Sequence, residues 1–192
     1  EHNDSAGFHV AGRITSNPED APSADRFAVT PGYFRVVRIP LLRGRDFTDA
    51  DGEKSPEVAI INRTAARQMF GETGAIGQRI MLGGATGPAR EIVGIVGDVR
   101  HRGLGEPISL QAYVPLSQLD GAPGGLVHRS RDVAAAAIGV RQAVREADRT
   151  QAVTEVRTFD AVLADTLAER RFLLGLIALF GGAALLLAVI GL

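Results

Sequence analysis

RGRDFTDADGEKSPEVAIINRTAARQMFG, residues 43–71, runs an acidic cluster straight into an apolar run and then a helix-like run. Two readings of the acids Asp46, Asp49 and Asp51 imply different folds. As a calcium loop, Gly52 would stand at the sixth position of the EF-hand pattern. Phe47 then falls at the first position and Val58 at the last, where oxygen ligands are required, and Pro56 sits where a helix should begin. As a turn, Thr-Asp-Ala-Asp-Gly is ordinary chemistry: Asp side chains bond nearby backbone N–H groups and glycine supplies positive φ. The turn reading makes the acids part of a surface loop. It also makes EVAIIN (57–62) a buried strand and RTAARQMF (63–70) a helix stopped by Gly71.

Strands and helices mix in the same way on both sides. FHVAGRI (8–14), RFAVT (26–30), QRIML (78–82), EIVGIVGDV (91–99) and QAYVPL (111–116) read as strands between Gly- and Pro-containing turns. PGYFRVVR (31–38) reads as a short helix with Thr30 as its N-cap and Pro31 at its first position. GLVHRS (125–130) leads into a helix over about 132–148. Its apolar positions Val133, Ala137, Val140, Val144 and Ala147 keep helical spacing, while Arg141, Arg145 and Asp148 line another face. AVTEVR (152–157) then closes a β-α-β unit. The fold class is α+β, with no long βαβα series.

Composition narrows the function. The chain has 192 residues and a net charge of −1 from 21 basic and 22 acidic residues, which gives no electrostatic case for binding nucleic acid. It has no cysteine, so disulfides, thiolate chemistry and Cys-based zinc sites are excluded. Residues 172–192, FLLGLIALFGGAALLLAVIGL, hold no charged or polar side chain. At 1.5 Å per residue they reach about 32 Å, the thickness of a bilayer's hydrocarbon core. This predicts a transmembrane helix. No Gly or Pro interrupts residues 159–174, so one helix is expected to run from the soluble part into the membrane. Neither an initiator Met nor a hydrophobic signal opens the chain, and the expectation is a piece of a longer membrane protein.

The motifs that could carry chemistry are weak. EIVGIVGDVRHRGLGEP (91–107) sets Gly94, Gly97, Gly103 and Gly105 near Arg100, His101 and Arg102, which suggests an anion loop. Gly94 and Gly97 lie inside the apolar run, however, and glycine in a strand marks a bulge or a close backbone approach. The chain contains no G-x-x-x-x-G-K-[ST], and no G-x-G-x-x-G opens a helix. His2, His9, His101 and His128 have no metal-ligand spacing, and no serine stands in G-x-S-x-G. In the apolar tail, Ala178 with Gly182 and Ala184 with Ala188 form small-xxx-small pairs that admit a neighbouring helix. No catalytic, cofactor-binding or metal-ligating residue is assigned.

As a set, VTPGYFRVVRIPLLRGRDFTDAD, VAIINRTAARQMFG, IGQRIML, REIVGIVGDVRHRGL, YVPLSQ and LAERRFLLGLIALFGGAALLLAVIGL closely resemble the MacB-like periplasmic core domain, followed by the start of an FtsX-type permease region. The order and spacing are most similar to large ABC transporter permeases of the acidobacterial duplicated kind. The resemblance implies an extracytoplasmic core domain over 1–165, with a porter-like β-α-β subdomain (about 1–45 and 122–165) and an inserted mixed α/β subdomain (about 46–121). Residues 166–192 would be the end of a stalk and the first part of the transmembrane region. It further implies a bacterial inner-membrane protein that is not itself an enzyme and needs no cofactor. ATP hydrolysis would take place on a separate cytoplasmic ABC ATPase subunit. The other partners implied are further permease helices or a second permease half, a periplasmic adaptor and membrane lipid, with no nucleic acid. The domain would transmit ATP-driven movement to export or extract a substrate. A membrane-anchored sensory or ligand-binding domain is the alternative, and predicts a well-formed apolar pocket with convergent polar groups. An extracytoplasmic enzyme would show clustered titratable groups with perturbed pKa values.

Overall fold

The computed structural model describes residues 4–13, 22–71, 74–83, 87–101, 106–119, 130 and 132–147, together with positions 178, 180–182, 185, 188 and 191 of the C-terminal stretch. It divides into two units, residues 1–129 and 130–192. The first is a mixed α/β unit built on one seven-stranded sheet.

The apolar run of the opening stretch is its central element. Strand β4 (Val58–Asn62) is buried at every residue. Ala59 and Ile61 enter a core with Phe8, Ile80, Ile92, Ala112 and Val114. Val58 and Ile60 enter a second core with Phe34, Phe47, Val96 and Tyr113. Burial on both faces is why the run does not alternate. β4 lies parallel to β6 (Arg90–Val96) and antiparallel to β7 (Leu110–Pro115).

Beyond β7, strand β2 (Ser23–Val29) pairs parallel to it, and β1 (Asp4–Val10) pairs antiparallel to β2. β5 (Arg79–Leu82) pairs antiparallel to β1 and also to the start of β6, so β6-β4-β7-β2-β1-β5 closes on itself. The seventh strand, β3 (Leu41–Gly44), adds antiparallel to the later half of β6, outside that ring.

Helix α2 (Arg63–Phe70) follows β4 without a loop because Asn62 is both strand end and cap: its Oδ1 accepts from Ala65 N at 3.0 Å. Ala65 and Ala66 are buried in the first core, and Gly71 at φ 77° ends the helix where the sequence places the stop. Helix α1 (Tyr33–Val37) starts later than expected. Gly32 takes φ 82° at the cap position and Tyr33 N bonds Thr30 O at 3.2 Å, so Thr30 opens a turn and does not cap the helix. β1 likewise ends at Val10, four residues before the run FHVAGRI does, because Gly12 turns the chain at φ 82°.

In the second unit, α3 (Val133–Ala147) occupies the expected span, with Ala137, Val140 and Val144 half-buried and Ile138, Arg141 and Arg145 exposed. Among the described residues, no helix is long and apolar enough to cross a membrane. The strand readings at 125–130 and 152–157, and the continuous helix from about residue 159, lie outside the described residues apart from Ser130 and the isolated tail positions.

Candidate functional site

The acidic cluster resolves into a turn with one carboxylate at its centre. Asp51 is 6% exposed. Its carboxylate accepts both guanidinium nitrogens of Arg45, at 2.7 and 2.8 Å, and the Thr48 N–H at 2.8 Å and hydroxyl at 3.1 Å. The Arg45 hydrogen bond is the main reason its acidity is raised, holding the carboxyl below the ordinary aspartate range against the opposing effect of burial. The same bond raises the Arg45 pKa. Asp46 is spent locally, accepting from Phe47 N at 2.7 Å, while Phe47 is buried against the second core. Ser117 closes the loop from the far side by donating to Asp51 O at 2.9 Å. Among the described residues, no three His, Cys, Asp or Glu side chains come together as a metal site.

The glycine and arginine stretch divides into packing and anchoring. A Cβ on Gly94 would stand 2.5 Å from Arg45 O, and one on Gly97 would stand 2.9 Å from the Pro40 ring, so both glycines let β3 and its flanks cross β6 closely. Beyond them, Asp98 accepts from Thr64 N at 2.9 Å and from Arg63 Nε at 3.2 Å, tying the strand end to the first turn of α2. Arg100 donates to Glu106 O at 2.8 Å. Arg102, Gly103 and Gly105 lie outside the described residues.

His101 leads into a polar chain that no motif announces. Its ring lies 4.4 Å from that of Phe27, and its Nε2 is 3.4 Å from Tyr113 Oη. Tyr113 donates to Gln111 Oε1 at 3.2 Å, and Gln111 Nε2 donates to Val99 O at 2.6 Å. Gln111 N donates to Asn62 Oδ1 at 3.1 Å, Asn62 Nδ2 donates to Ser109 O at 3.0 Å, and Ser109 Oγ donates to Asp25 at 2.5 Å. Asp25, Asn62, Gln111 and Tyr113 are all at most 1% exposed. Burial pushes the Tyr113 hydroxyl pKa far up, so it stays a neutral donor. A satisfied buried network fixes geometry; here it pins both ends of the β6–β7 connection. The buried Arg90 plays the same part elsewhere, paired with Glu57 and donating to Gln118 Oε1 at 3.2 Å.

The remaining candidates stand apart. His9 is buried on β1 opposite Met81. His2, His128 and Ala184 lie outside the described residues, and Ala178, Gly182 and Ala188 are helical. An open cleft of about 390 Å³ lies between Pro31, Gly32 and Arg35 on one side and Asp46, Phe47 and Asp49 on the other. Its lining is largely polar and shallow, unlike the enclosed apolar pocket of a small-molecule site. The arrangement is a scaffold: its polar side chains are used to hold loops.

Known proteins share this scaffold. The family model described as MacB-like periplasmic core domain matches residues 5–159. The macrolide export ATP-binding/permease protein MacB of Chromobacterium violaceum is 31% identical over 111 residues, covering 58% of this chain and 16% of that protein. The chain therefore spans about a sixth of the length of that curated relative. The crystal structure of the periplasmic region of MacB from Actinobacillus actinomycetemcomitans superposes with a TM-score of 0.53 at 20% identity, covering 74% of this chain and 63% of that one.

Proposed function

Because the chain belongs to the MacB-like periplasmic core domain family of ABC transporter permeases, we propose that it is the extracytoplasmic, non-catalytic part of such a permease and transmits ATP-driven movement across the inner membrane. The family match over 155 residues (5–159) carries the reading. Buried polar chains that stiffen connections also support it. In this reading residues 172–192 cross the membrane, and an uninterrupted helix from about residue 159 couples the domain to the span. ATP hydrolysis belongs to a separate cytoplasmic ATPase subunit, with further permease helices and a periplasmic adaptor as partners. The reading requires no cofactor of this chain.

The test is mechanical. In the intact transporter, Gly-Gly-Ser inserted after Ala168 relaxes the helix without adding bulk, because glycine is a poor helix former. A helical insert of equal length is the control. The expected result is transport lost with the flexible insert while ATP hydrolysis persists. Full transport with both inserts would reduce the helix to an anchor and favour a sensory or ligand-binding domain.

A further inference from the structure

Gln118 ends a 3₁₀ turn, Leu116–Gln118, that follows β7, and its half-buried side chain uses both halves of its amide. Oε1 accepts from Val58 N and from Arg90 Nη1, each at 3.2 Å. Nε2 donates to Ser55 Oγ at 3.0 Å, to Pro56 O at 3.1 Å and to Gly52 O at 3.3 Å. Val58 is the first residue of β4, Arg90 is the first of β6, and residues 52–56 complete the acidic turn. One side chain thus joins the starts of two core strands to the turn, across 28 to 66 positions of chain. Its neighbours hold the same place: Ser117 Oγ donates to Asp51 O at 2.9 Å, and Leu119 packs against the first core. Among side chains, only Asn and Gln carry a carbonyl acceptor and two N–H donors on one neutral tip.

Position in the chain gives this cluster its meaning. Leu119 is the last described residue before Ser130, where the second unit begins. In the coupling reading, movement enters the chain from about residue 159 onwards. Passed back along the chain, a pull on the first unit meets Leu119 and Gln118 before it meets β7. A strand pulled from one end gives way bond by bond, whereas bonds to several elements at once share the pull. We propose that Gln118 is a positioning residue of the coupling. It hands displacement arriving along the chain from the second unit to β4, β6 and the acidic turn together, so that β7 does not peel from its end. The inference rests on the coupling reading and names the side chain through which it acts in the first unit.

Hydrogen exchange read by mass spectrometry tests this in the intact transporter, at rest and with magnesium ATP and vanadate. In wild type, residues 51–58 and 110–119 should exchange within about twofold of the same rates in the two states. Gln118→Ala should speed them about tenfold with ATP and vanadate but at most about threefold at rest, because a bond that shares a pull matters most while the pull is applied. Gln118→Glu keeps the acceptor half and loses the donor half, so its effect should fall between the two; it decides alone if Gln118→Ala fails to fold. Ser109→Ala removes the bond to Asp25 at the opposite end of β7, and as the control it should speed exchange alike in both states. No change with either Gln118 variant would overturn the proposal and leave the coupling reading standing. An equal rise in both states, like that of Ser109→Ala, would also overturn it. The Gly-Gly-Ser insert after Ala168 then separates the two failures: transport lost with it keeps the coupling reading, and full transport with both inserts ends that reading too.

Discussion

The Asp51 carboxylate takes two bonds from Arg45 and two from Thr48. Asp51→Asn keeps the shape but loses the charge, and an amide nitrogen would face donors. A charge-assisted bond to a half-exposed arginine is discounted for screening, so the expected loss of stability is about 1–2 kcal/mol by chemical denaturation. The pH dependence has a definite sign. The folded pKa lies below the ordinary 3.8, so the stabilisation is complete above about pH 4 and disappears as pH falls through the folded value. The gap between wild type and Asp51→Asn should therefore close in acid; a gap that widens below pH 4 would contradict the assignment. Arg38 gives the opposite expectation. Left-handed backbone costs a residue with a side chain about 1 kcal/mol, so Arg38→Gly should raise the melting midpoint slightly. No gain would mean that the arginine makes a compensating contact within its own unit. The turn itself was legible, because the EF-hand pattern fails at its first and last positions, where Phe47 and Val58 stand. The partner of Asp51 was not, since nothing in the spacing of Arg45 marks it. Asp25 and Ser109 were further out of reach: they meet across 84 positions, and only the fold brings them together.

Gly94 and Gly139 are the same residue with opposite meanings at the level of elements. A Cβ on Gly94 would lie 2.5 Å from Arg45 O and 3.1 Å from Ile60 Cγ1; the first contact requires the backbone just after β3 to move away from β6, and the second requires the Ile60 side chain on β4 to give. Gly94→Ala should cost about 2–3 kcal/mol, in the range of overpacking a core. Gly139 sits in α3 with nothing within 4 Å of its would-be Cβ, so Gly139→Ala should stabilise that helix by about 0.5–1 kcal/mol. Circular dichroism melts of both variants check the pair; two effects of the same sign would show that packing does not decide between them. Elements whose own residues contain their reason were legible. β4 is an unbroken apolar run, α2 ends at a glycine, and the half-buried face of α3 follows the helical period. β3 was not, because Pro40, Gly44 and a bulge hide a strand whose four residues are all exposed. The Thr30 cap failed for a related reason: cap chemistry is local, but a left-handed Gly32 moves the helix start.

The first unit holds together by pairings that cross its middle. Residues 1–45 contribute β1, β2 and β3, and residues 46–121 contribute β4 to β7. Within the first group only β1 and β2 pair with each other. Among the described residues every other strand pairing reaches across: β2 to β7 along six residues, β1 to β5, and β3 to β6. β2 and β1 also complete the ring by which β7 is joined to β5. Freeing residues 1–45 would thus open three interfaces at once and expose Phe8, Val10 and Ala24, which share a core with Ile61, Ile80 and Val114. Opening on that scale should cost nearly as much as global unfolding, because the free energy of a local opening follows the surface it exposes. Native-state hydrogen exchange of the chain should therefore give β1, β2, β4, β6 and β7 one common opening free energy with the same denaturant slope. β3, short and paired with β6 alone among the described residues, should exchange earlier, and α3 in the other unit should report separately. If β1 and β2 instead opened several kcal/mol below β4 and β6, with a shallower slope, residues 1–45 and 46–121 would behave as two subdomains, as the sequence division at residue 45 implies. A permease that moves its outer domain as a lever needs the first outcome, since a lever that opens at its own middle loses the displacement it is meant to carry.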